Sequence, residues 1–404
     1  MAEERDKLLA LPPLSLYVHI PWCVRKCPYC DFNSHAAGET LPETEYVAQL
    51  ERDLRSQRLW AQGRRLQSIF FGGGTPSLFS PQAIGAILAA AEREVGFADD
   101  IEITLEANPG TFEQAKFAGY RAAGVNRLSI GVQSFDTQQL DNLGRIHSGS
   151  EAEGALEMAR RAGFDNINLD LMHGLPQQSE EEALADLRRA VSLAPEHISW
   201  YQLTIEPNTA FYSAPPVVPG PAHIVSMQGS GREYLALQGY GRYEVSAYCQ
   251  AGLESRHNLN YWSFGDYLGI GAGAHGKVTL PGEGRILRSR RTRAPRHYLA
   301  LPRAAGAEAL PLANGEDALE LPLVEAVATE ELPLEFLMNA LRLVRGVPVG
   351  SFAPYTGLPL AVLERQWPSL EQLQLVQPLG PRIAASTFGF DYLDEILQRF
   401  LEQP

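Results

Sequence analysis

The first half of the chain alternates short apolar runs with longer stretches in which apolar residues recur at helical spacing. Strand-like runs that alternate with amphipathic helices are typical of a parallel sheet in an α/β fold. Two helix starts are marked by Ser80 before Pro81 and by Ser179 three residues before Glu182, as expected for an N-cap and a capping box. The six candidate strands cover Leu14–Ile20, 68–71, 101–106, 127–132, 166–170 and 197–203.

Six strand–helix units in roughly 200 residues predict an incomplete (β/α)6 barrel rather than a complete eight-stranded one. We expect this barrel over residues 1–205 and an accessory segment packed on it over 206–300. A stretch rich in Ala, Pro and Gly at 301–315 predicts a linker, and a mainly helical C-terminal domain follows over 316–404. Two apolar stripes predict the core of that domain, one of Leu334, Leu337, Met338 and Leu341 and one of Leu393, Ile396, Leu397, Phe400 and Leu401.

Charge and composition narrow the range of partners. The 34 Lys and Arg residues against 48 Asp and Glu residues give a net charge of −14. An acidic chain disfavours nonspecific nucleic-acid binding and a polybasic membrane anchor. The first residues, MAEERDKLLALPPL, lack the basic and apolar regions of a signal peptide, and no apolar run reaches the length of a transmembrane helix. We therefore expect a cytoplasmic protein that binds no nucleic acid.

Three of the four cysteines stand together as C-x3-C-x2-C at Cys23, Cys27 and Cys30, directly after the first candidate strand. In a reducing compartment such a group favours metal binding over disulfides. Three thiolates on one loop can hold three irons of a cubane cluster and leave the fourth iron open to a small molecule. Arg25 and Lys26 are expected to lower the thiol pKa values. Structural zinc is the alternative, with a fourth ligand from His19, His35, Asp31 or Cys249.

Polar residues recur at the ends of successive candidate strands. Gly73, Gly74 and Thr75 follow the second strand, Glu106 ends the third, and Gln133 and Asp170 follow in turn. In a β/α barrel the carboxyl ends of the strands meet at the active-site face, and a buried polar face is costly unless it lines a ligand cavity. The pattern predicts a lined cavity, with solvated edge strands as the alternative.

The cysteine spacing resembles the radical S-adenosylmethionine (SAM) superfamily, in which the amino and carboxylate groups of SAM chelate the open iron. The strings YVHIPWC, FFGGGTPSL, LEANPGT, RLSIGVQSF, LGRIHS and NLDLMHGLP are together similar to the oxygen-independent coproporphyrinogen oxidase family. The resemblance implies a 4Fe–4S cluster on the three cysteines. It also implies SAM contacts at Tyr17, Tyr29, Gly73, Gly74, Thr75, Glu106, Gln133, Arg145 and Asp170.

Two departures separate the chain from the decarboxylating oxidases of that family. Those enzymes carry a further cysteine where this chain has Phe32, and they have a longer extension before the first strand. Both departures, and the string HNLNYW at 257–262, resemble the HemW-type haem chaperone branch. The resemblance implies haem as cargo, with His257 as an axial ligand and Tyr261 and Trp262 packed on the porphyrin. The alternative is a histidine whose hydrogen bonds are satisfied in a turn, next to two aromatic residues of the core. His147 and His173 are further candidate ligands.

The branch implies that the partners are haem-accepting respiratory proteins, with peripheral contact at the inner face of the cytoplasmic membrane and a homodimer. Two other functions stay open at this point. One is oxidative decarboxylation of coproporphyrinogen III, and the other is radical SAM chemistry on another substrate. In each of these two functions the cofactor would perform the radical reaction and the barrel would exclude competing reactions. Whether the chain is an enzyme is left open by the sequence.

Overall fold

The computed structural model describes residues 9–110, 115–301 and 323–401. Within them lie sixteen strands, whose positions agree with all six candidate strands of the first half. The strands are β1 (Leu14–Ile20), β2 (Trp22–Cys23), β3 (His35–Ala36), β4 (Leu66–Gly73), β5 (Phe97–Ala107), β6 (Arg127–Gln133), β7 (Ile167–His173), β8 (His197–Gln202), β9 (Gly241–Arg242), β10 (Ala247–Cys249), β11 (Asp266–Ile270), β12 (His275–Leu280), β13 (Arg285–Arg290), β14 (Leu323–Ala326), β15 (Val347–Pro348) and β16 (Arg382–Ile383).

Helices fill most of the connections between the central strands. Both marked starts are confirmed: the Ser80 side chain accepts from Ala83 N, and Ser179 and Glu182 form a capping box. The α-helices are α1 (Glu43–Gln57), α2 (Pro81–Glu94), α3 (Phe117–Ala123), α4 (Thr137–Asn142), α5 (Gly149–Arg161), α6 (Glu180–Ser192), α7 (Ala210–Ser213), α8 (Pro221–Leu237), α9 (Arg256–Trp262), α10 (Pro295–Leu299), α11 (Leu332–Ala340), α12 (Phe352–Thr356), α13 (Ala361–Glu364), α14 (Trp367–Gln372) and α15 (Leu393–Leu401).

One twelve-stranded sheet organises the molecule, in the order β14-β13-β12-β11-β1-β4-β5-β6-β7-β8-β10-β9. The pairs from β1 through β4 to β8 are parallel, and β11 adds a seventh parallel strand beside β1. In the described residues β14 and β9 end the sheet without pairing to each other, so the barrel is incomplete, as predicted. Strands β9 to β13, all from the accessory segment, extend the same sheet on both sides.

Strict alternation along the central strands separates a core from a polar interior. In β6, Leu128, Ile130 and Val132 are buried with the helices, whereas Ser129 and Gln133 face the other way. Each fully buried aliphatic side chain contributes about 1.5–3 kcal/mol, so this alternation fixes the register of the sheet. The other face carries polar and aromatic side chains, and it lines the concave side of the barrel.

A second hydrophobic cluster lies between α9, the following loop and the C-terminal helices. Phe264, Phe336, Trp367 and Ile396 are among its buried members. The first predicted stripe needs a correction, because Met338 is exposed and Leu332 and Phe336 take its place in the buried face of α11. The buried face of α15 is also smaller than the second stripe predicts, because Leu401 is exposed while Ile396 is buried. Among the described residues no helix is both long and apolar enough to cross a membrane.

Candidate cluster and SAM site with an adjoining cavity

The three clustered cysteines lie on a folded loop at the carboxyl end of β1. This cysteine loop, residues 21–37, is closed by the short parallel pair of β2 and β3 and by the bond from Ala37 N to Cys23 O at 2.8 Å. Lys26 Nζ donates to Phe32 O at 3.2 Å and to Ser34 O at 3.4 Å. The loop therefore holds its own shape, and Lys26 is used to fold it.

The three thiols are free, half-buried and gathered on one wall of a cavity of about 880 Å³, called the first cavity below. Among the described residues no three His, Cys, Asp or Glu side chains converge on a single metal ion. A cubane cluster does not require that, because each thiolate binds a different iron. The cysteine set therefore fits a cluster better than a single zinc ion.

Burial governs the thiols more than the neighbouring bases do. Desolvation raises the pKa of Cys23 and of Cys30, and Lys26 only partly offsets this at Cys30. The expected effect of Lys26 is present at Cys30, but the pKa of both thiols is raised overall, because the loop desolvates the thiols more than its charges stabilise the thiolates. A bound metal ion would reverse the balance, since a coordinating thiol is deprotonated.

Beside the thiols, Arg145 is fixed by two neighbouring acceptors. Its Nη2 donates to Asn108 Oδ1 at 2.8 Å and to Gly131 O at 2.6 Å, while its Nη1 lies 3.9 Å from Cys27 Sγ. Asn108 also donates to Thr75 Oγ1 at 3.0 Å. An arginine held in this way presents a preorganised guanidinium, which suits a carboxylate. The sequence analysis missed Asn108, which stands two residues after Glu106 and directly follows the end of β5.

Two carboxyl groups lie on the floor of the first cavity. Glu106 Oε2 accepts from Gly73 N at 3.3 Å, and Asp170 accepts from Ser129 Oγ and from Asn168 Nδ2, each at 2.9 Å. Burial and the nearby Asp170 raise the pKa of Glu106 to about 8, and burial also raises the pKa of Asp170. Both groups would hold their protons less tightly beside a cation, so this floor favours a positively charged ligand.

The glycines after β4 have a structural reason as well as a place in the first cavity. Gly73 has φ +113°, and a Cβ there would lie 2.5 Å from the His19 ring. A Cβ on Gly74 would lie 2.6 Å from Trp22 O. Only glycine lets this turn approach β1 and the cysteine loop so closely. The tight turn and the cavity wall are therefore the same feature.

The structure brings eight of the nine predicted SAM residues to the first cavity together with the three cysteines. They are Tyr29, Gly73, Gly74, Thr75, Glu106, Gln133, Arg145 and Asp170. Tyr17 is the exception: its hydroxyl bonds to His19 Nδ1 at 3.0 Å, and its ring faces a second cavity. Tyr201, which the sequence analysis missed, donates to Gln133 Oε1 at 2.6 Å and completes the polar wall.

The second cavity, of about 1210 Å³, adjoins the first and shares Phe32, Gly73, Glu106 and Asn258 with it. Phe32 is 61% exposed and lines both cavities. Phe32 stands where the decarboxylating oxidases carry their further cysteine, and it therefore lies where the two cavities meet.

His257 and Tyr261 line the second cavity, whereas Trp262 lines the first. His257 Nδ1 lies 3.2 Å from Ser68 Oγ, and no hydrogen bond to its Nε2 is found among the described residues. Burial, with a smaller contribution from Arg127, lowers the pKa of His257 to about 3, so its imidazole is neutral at physiological pH. Trp262 instead has the Arg342 guanidinium 4.2 Å above its ring.

The other candidate histidines are placed differently. His147 lines the first cavity and its Nε2 bonds to Val132 O at 3.0 Å. His173 lines neither cavity and packs against Trp200 with ring centroids 4.3 Å apart. Burial lowers the pKa of each to about 4. Of the three, only His257 combines a neutral ring with a place in the second cavity.

Comparison with known proteins agrees with this geometry. Residues 17–190 match the sequence model of the radical SAM superfamily. The chain is 47% identical over 397 residues to the heme chaperone HemW of Haemophilus influenzae, covering 97% of this chain and 99% of that protein. It is 51% identical over 396 residues to the heme chaperone HemW of Escherichia coli, covering 98% and 100%. The chain belongs to the HemW family.

Membership in the HemW family confirms the resemblance drawn from the motif strings, and membership in the radical SAM superfamily implies a 4Fe–4S cluster and SAM. Among solved structures, the radical SAM enzyme coproporphyrinogen III oxidase (HemN) from Escherichia coli aligns with a TM-score of 0.76. It covers 98% of this chain and 92% of its own, at 21% identity. At that identity the likeness concerns the fold alone, and it confirms the partial barrel of the radical SAM type.

Proposed function

We propose that this chain is a haem chaperone, which holds a 4Fe–4S cluster, SAM and haem and delivers haem to respiratory haem proteins. The observation that carries the proposal is the position of His257: a neutral, buried imidazole in a large cavity that shares a wall with the cluster and SAM site. A neutral imidazole is the form that binds haem iron. The name of the HemW relatives, heme chaperone, supports the same conclusion.

Within this function the first cavity receives the cluster and SAM. Cys23, Cys27 and Cys30 would hold three irons, and SAM would chelate the fourth. Arg145 is then proposed to pair with the SAM carboxylate, while Glu106 and Asp170 face its cationic groups. The eight predicted SAM residues that line the first cavity are proposed to contact SAM. Tyr17 lines the second cavity instead, so it is not proposed to touch SAM.

The haem is proposed to lie in the second cavity, on His257 and Tyr261. Ser68 would orient the His257 ring through Nδ1 and leave Nε2 for the iron, as partners of ligating histidines do. Trp262 faces the first cavity, so only Tyr261 of the two predicted aromatic residues is proposed to contact the porphyrin.

An anaerobic haem titration of cluster-loaded protein, followed at the Soret band, tests this function. His257→Ala is the test variant and His173→Ala is the matched control, because His173 is a buried histidine outside both cavities. We expect saturation at one haem per chain, a weakened and spectrally changed complex for His257→Ala, and no change for His173→Ala. Unsaturable binding by the wild type, or formation of protoporphyrinogen from coproporphyrinogen under reducing conditions, would contradict the proposal.

The proposed recipients are haem-accepting respiratory proteins, reached by peripheral contact at the inner face of the cytoplasmic membrane. A homodimer is proposed with them. Flotation with anionic vesicles tests the membrane contact, and protein that stays with the unbound fraction would refute it. Sedimentation equilibrium tests the homodimer, and a monomer would refute it.

A further inference from the structure

The second cavity carries positive charge in an acidic chain. Arg290, Arg291 and Arg293 line it, and Glu106 is the only Asp or Glu among its described lining residues. The chain as a whole has a net charge of −14. Without SAM, burial and the nearby Asp170 raise the pKa of Glu106 to about 8, so this carboxyl carries a proton at neutral pH. The cavity is therefore positively charged where the rest of the protein is negative, which favours an anionic ligand.

Only two of the three arginines are available to a ligand. Arg291 is buried and its Nε lies 2.8 Å and 3.0 Å from the two carboxylate oxygens of Asp53, which Tyr298 also contacts. The buried ion pair between Arg291 and Asp53 therefore stabilises the fold and is not offered to a ligand. Arg290 and Arg293, by contrast, are exposed at the edge of the cavity, and we call these two residues the basic rim.

The basic rim is weakly neutralised by the protein itself. Arg290 reaches only Glu325, at 3.8 Å, and the two side chains are 60% and 66% exposed. Exposed pairs of this kind contribute about 0–1 kcal/mol. For Arg293 no ion pair is found in the described part of the chain, while its backbone carbonyl is held by Asn33 Nδ2 at 2.9 Å. The position of Arg293 is thus tied to the cysteine loop, and its side chain remains open to a carboxylate.

The inner wall of the second cavity is aromatic. The Tyr17 and Phe70 rings are stacked with centroids 6.4 Å apart, and the Phe70 ring lies 5.1 Å from that of His257. Tyr261 and Tyr267 continue this wall with centroids 5.1 Å apart. The cavity therefore has a flat apolar side with a free imidazole nitrogen and a separate basic edge. Its volume also exceeds the about 300–1,000 Å³ typical of drug-sized ligands.

We propose that the second cavity binds the porphyrin edge-on, with the two propionate groups paired to Arg290 and Arg293 and the macrocycle against the aromatic wall that holds His257. The inference rests on the proposed haem function and adds the orientation of the cargo and the residues that select its carboxylates. Arginine suits this task because its planar guanidinium can bind a carboxylate through two parallel hydrogen bonds. With the propionates at the exposed rim, haem would enter and leave by its polar edge.

The test compares haem with its dimethyl ester, in which both carboxylates are blocked, on cluster-loaded full-length protein. The variant is Arg290→Gln combined with Arg293→Gln, and the control is Arg296→Gln, an exposed arginine of the same segment that does not line the cavity. We expect the double variant to bind haem about tenfold or more weakly, from the loss of two charge-assisted contacts. The ester should bind wild type, double variant and control with equal affinity, and all three should load the cluster alike.

The outcomes separate this inference from the function on which it rests. If the double variant binds haem as tightly as wild type while wild type saturates, the orientation is refuted and the chaperone function stands. If the double variant loses haem and ester equally, the arginines do not act on the carboxylates, and the inference also fails. If wild type saturates with neither compound, the proposed function itself is overturned.

Discussion

The two cavities share a wall, yet their chemistries are opposite. The first joins three thiols to the buried carboxyl groups of Glu106 and Asp170, and the second joins aromatic rings to the exposed arginines of the basic rim. SAM carries a sulfonium and an ammonium group besides one carboxylate and is cationic overall, whereas haem carries two carboxylates. If the proposed sites are correct, one sheet keeps a cationic cofactor and an anionic cargo in adjacent cavities that differ in chemistry.

Loss of a cluster ligand should give the largest effect and leave the second cavity intact. Cys27→Ala removes one of the three proposed iron ligands. Loss of a residue that only supports a metal ligand already lowers metal affinity about 10–100-fold. We expect cluster content to fall by more than about tenfold, measured as iron per chain and by the EPR signal of the reduced protein. Haem affinity should change little, and a parallel collapse of haem binding would show that the two cavities are not independent.

Replacement of Arg145 should weaken SAM binding in the first cavity without affecting the second cavity. Arg145→Gln removes the guanidinium that Asn108 and Gly131 hold beside the thiols. Hydrogen bonds to charged groups are worth about 1.5–3 kcal/mol, so SAM affinity should fall by roughly 10–100-fold, as measured by calorimetry. Arg188→Gln, an exposed ion-pair residue on α6, is the control. Equal SAM affinity in Arg145→Gln and wild type would contradict the proposed pairing.

The pH dependence of SAM binding should report the carboxyl floor of the first cavity. Because the pKa of Glu106 is raised to about 8, this group binds a proton at pH 7, and a cationic ligand should release it. Calorimetry in two buffers of different ionisation enthalpy should show proton release for wild type and less for Glu106→Gln. Without SAM, the raised pKa means that Glu106 costs stability as pH rises from about 4.5 to 8. Glu106→Gln should therefore gain in unfolding free energy relative to wild type over that range, and an unchanged difference would contradict it.

The smallest expected effect concerns the support of His257. Ser68→Ala removes the hydroxyl 3.2 Å from His257 Nδ1, and a neutral hydrogen bond is worth about 0.5–1.5 kcal/mol. We expect haem affinity to fall roughly two- to tenfold with a shifted Soret maximum, while SAM affinity is retained. Ser192→Ala, on the exposed end of α6, should change neither. A Soret band identical to wild type in Ser68→Ala would argue against His257 as the iron ligand.

Strand ends with a plain hydrophobic alternation predict part of the first cavity, such as Glu106 and Asp170, whereas Tyr29 and Arg145 came only from the resemblance to the radical SAM superfamily. In the second cavity the resemblance indicated His257 and Tyr261 but not the basic rim. The run R-S-R-R-T-R at 288–293 reads as a solvated face until β12 and β13 fold it beside the cysteine loop. That basic run in an acidic chain was the available signal. The seventh parallel strand, β11, was also missed, because it follows a helix of only seven residues.

The placement of Trp262 follows from helical geometry that the string HNLNYW already contained. His257 and Tyr261 are four residues apart and therefore share a face of α9, whereas Trp262 is turned by about 100° from Tyr261. The helix lies between the two cavities, so the three residues divide between them. The sequence supplied the spacing, but only the tertiary structure showed that a cavity lies on each side.

Simultaneous binding tests the central claim most directly. Haem would be titrated anaerobically into cluster-loaded protein, once without SAM and once with SAM at saturation, and followed at the Soret band. Two separate cavities predict saturation at one haem per chain in both titrations, with affinities that differ little. Displacement of haem by SAM, or haem binding only when SAM is absent, would show that the two ligands compete for one site and would contradict the account.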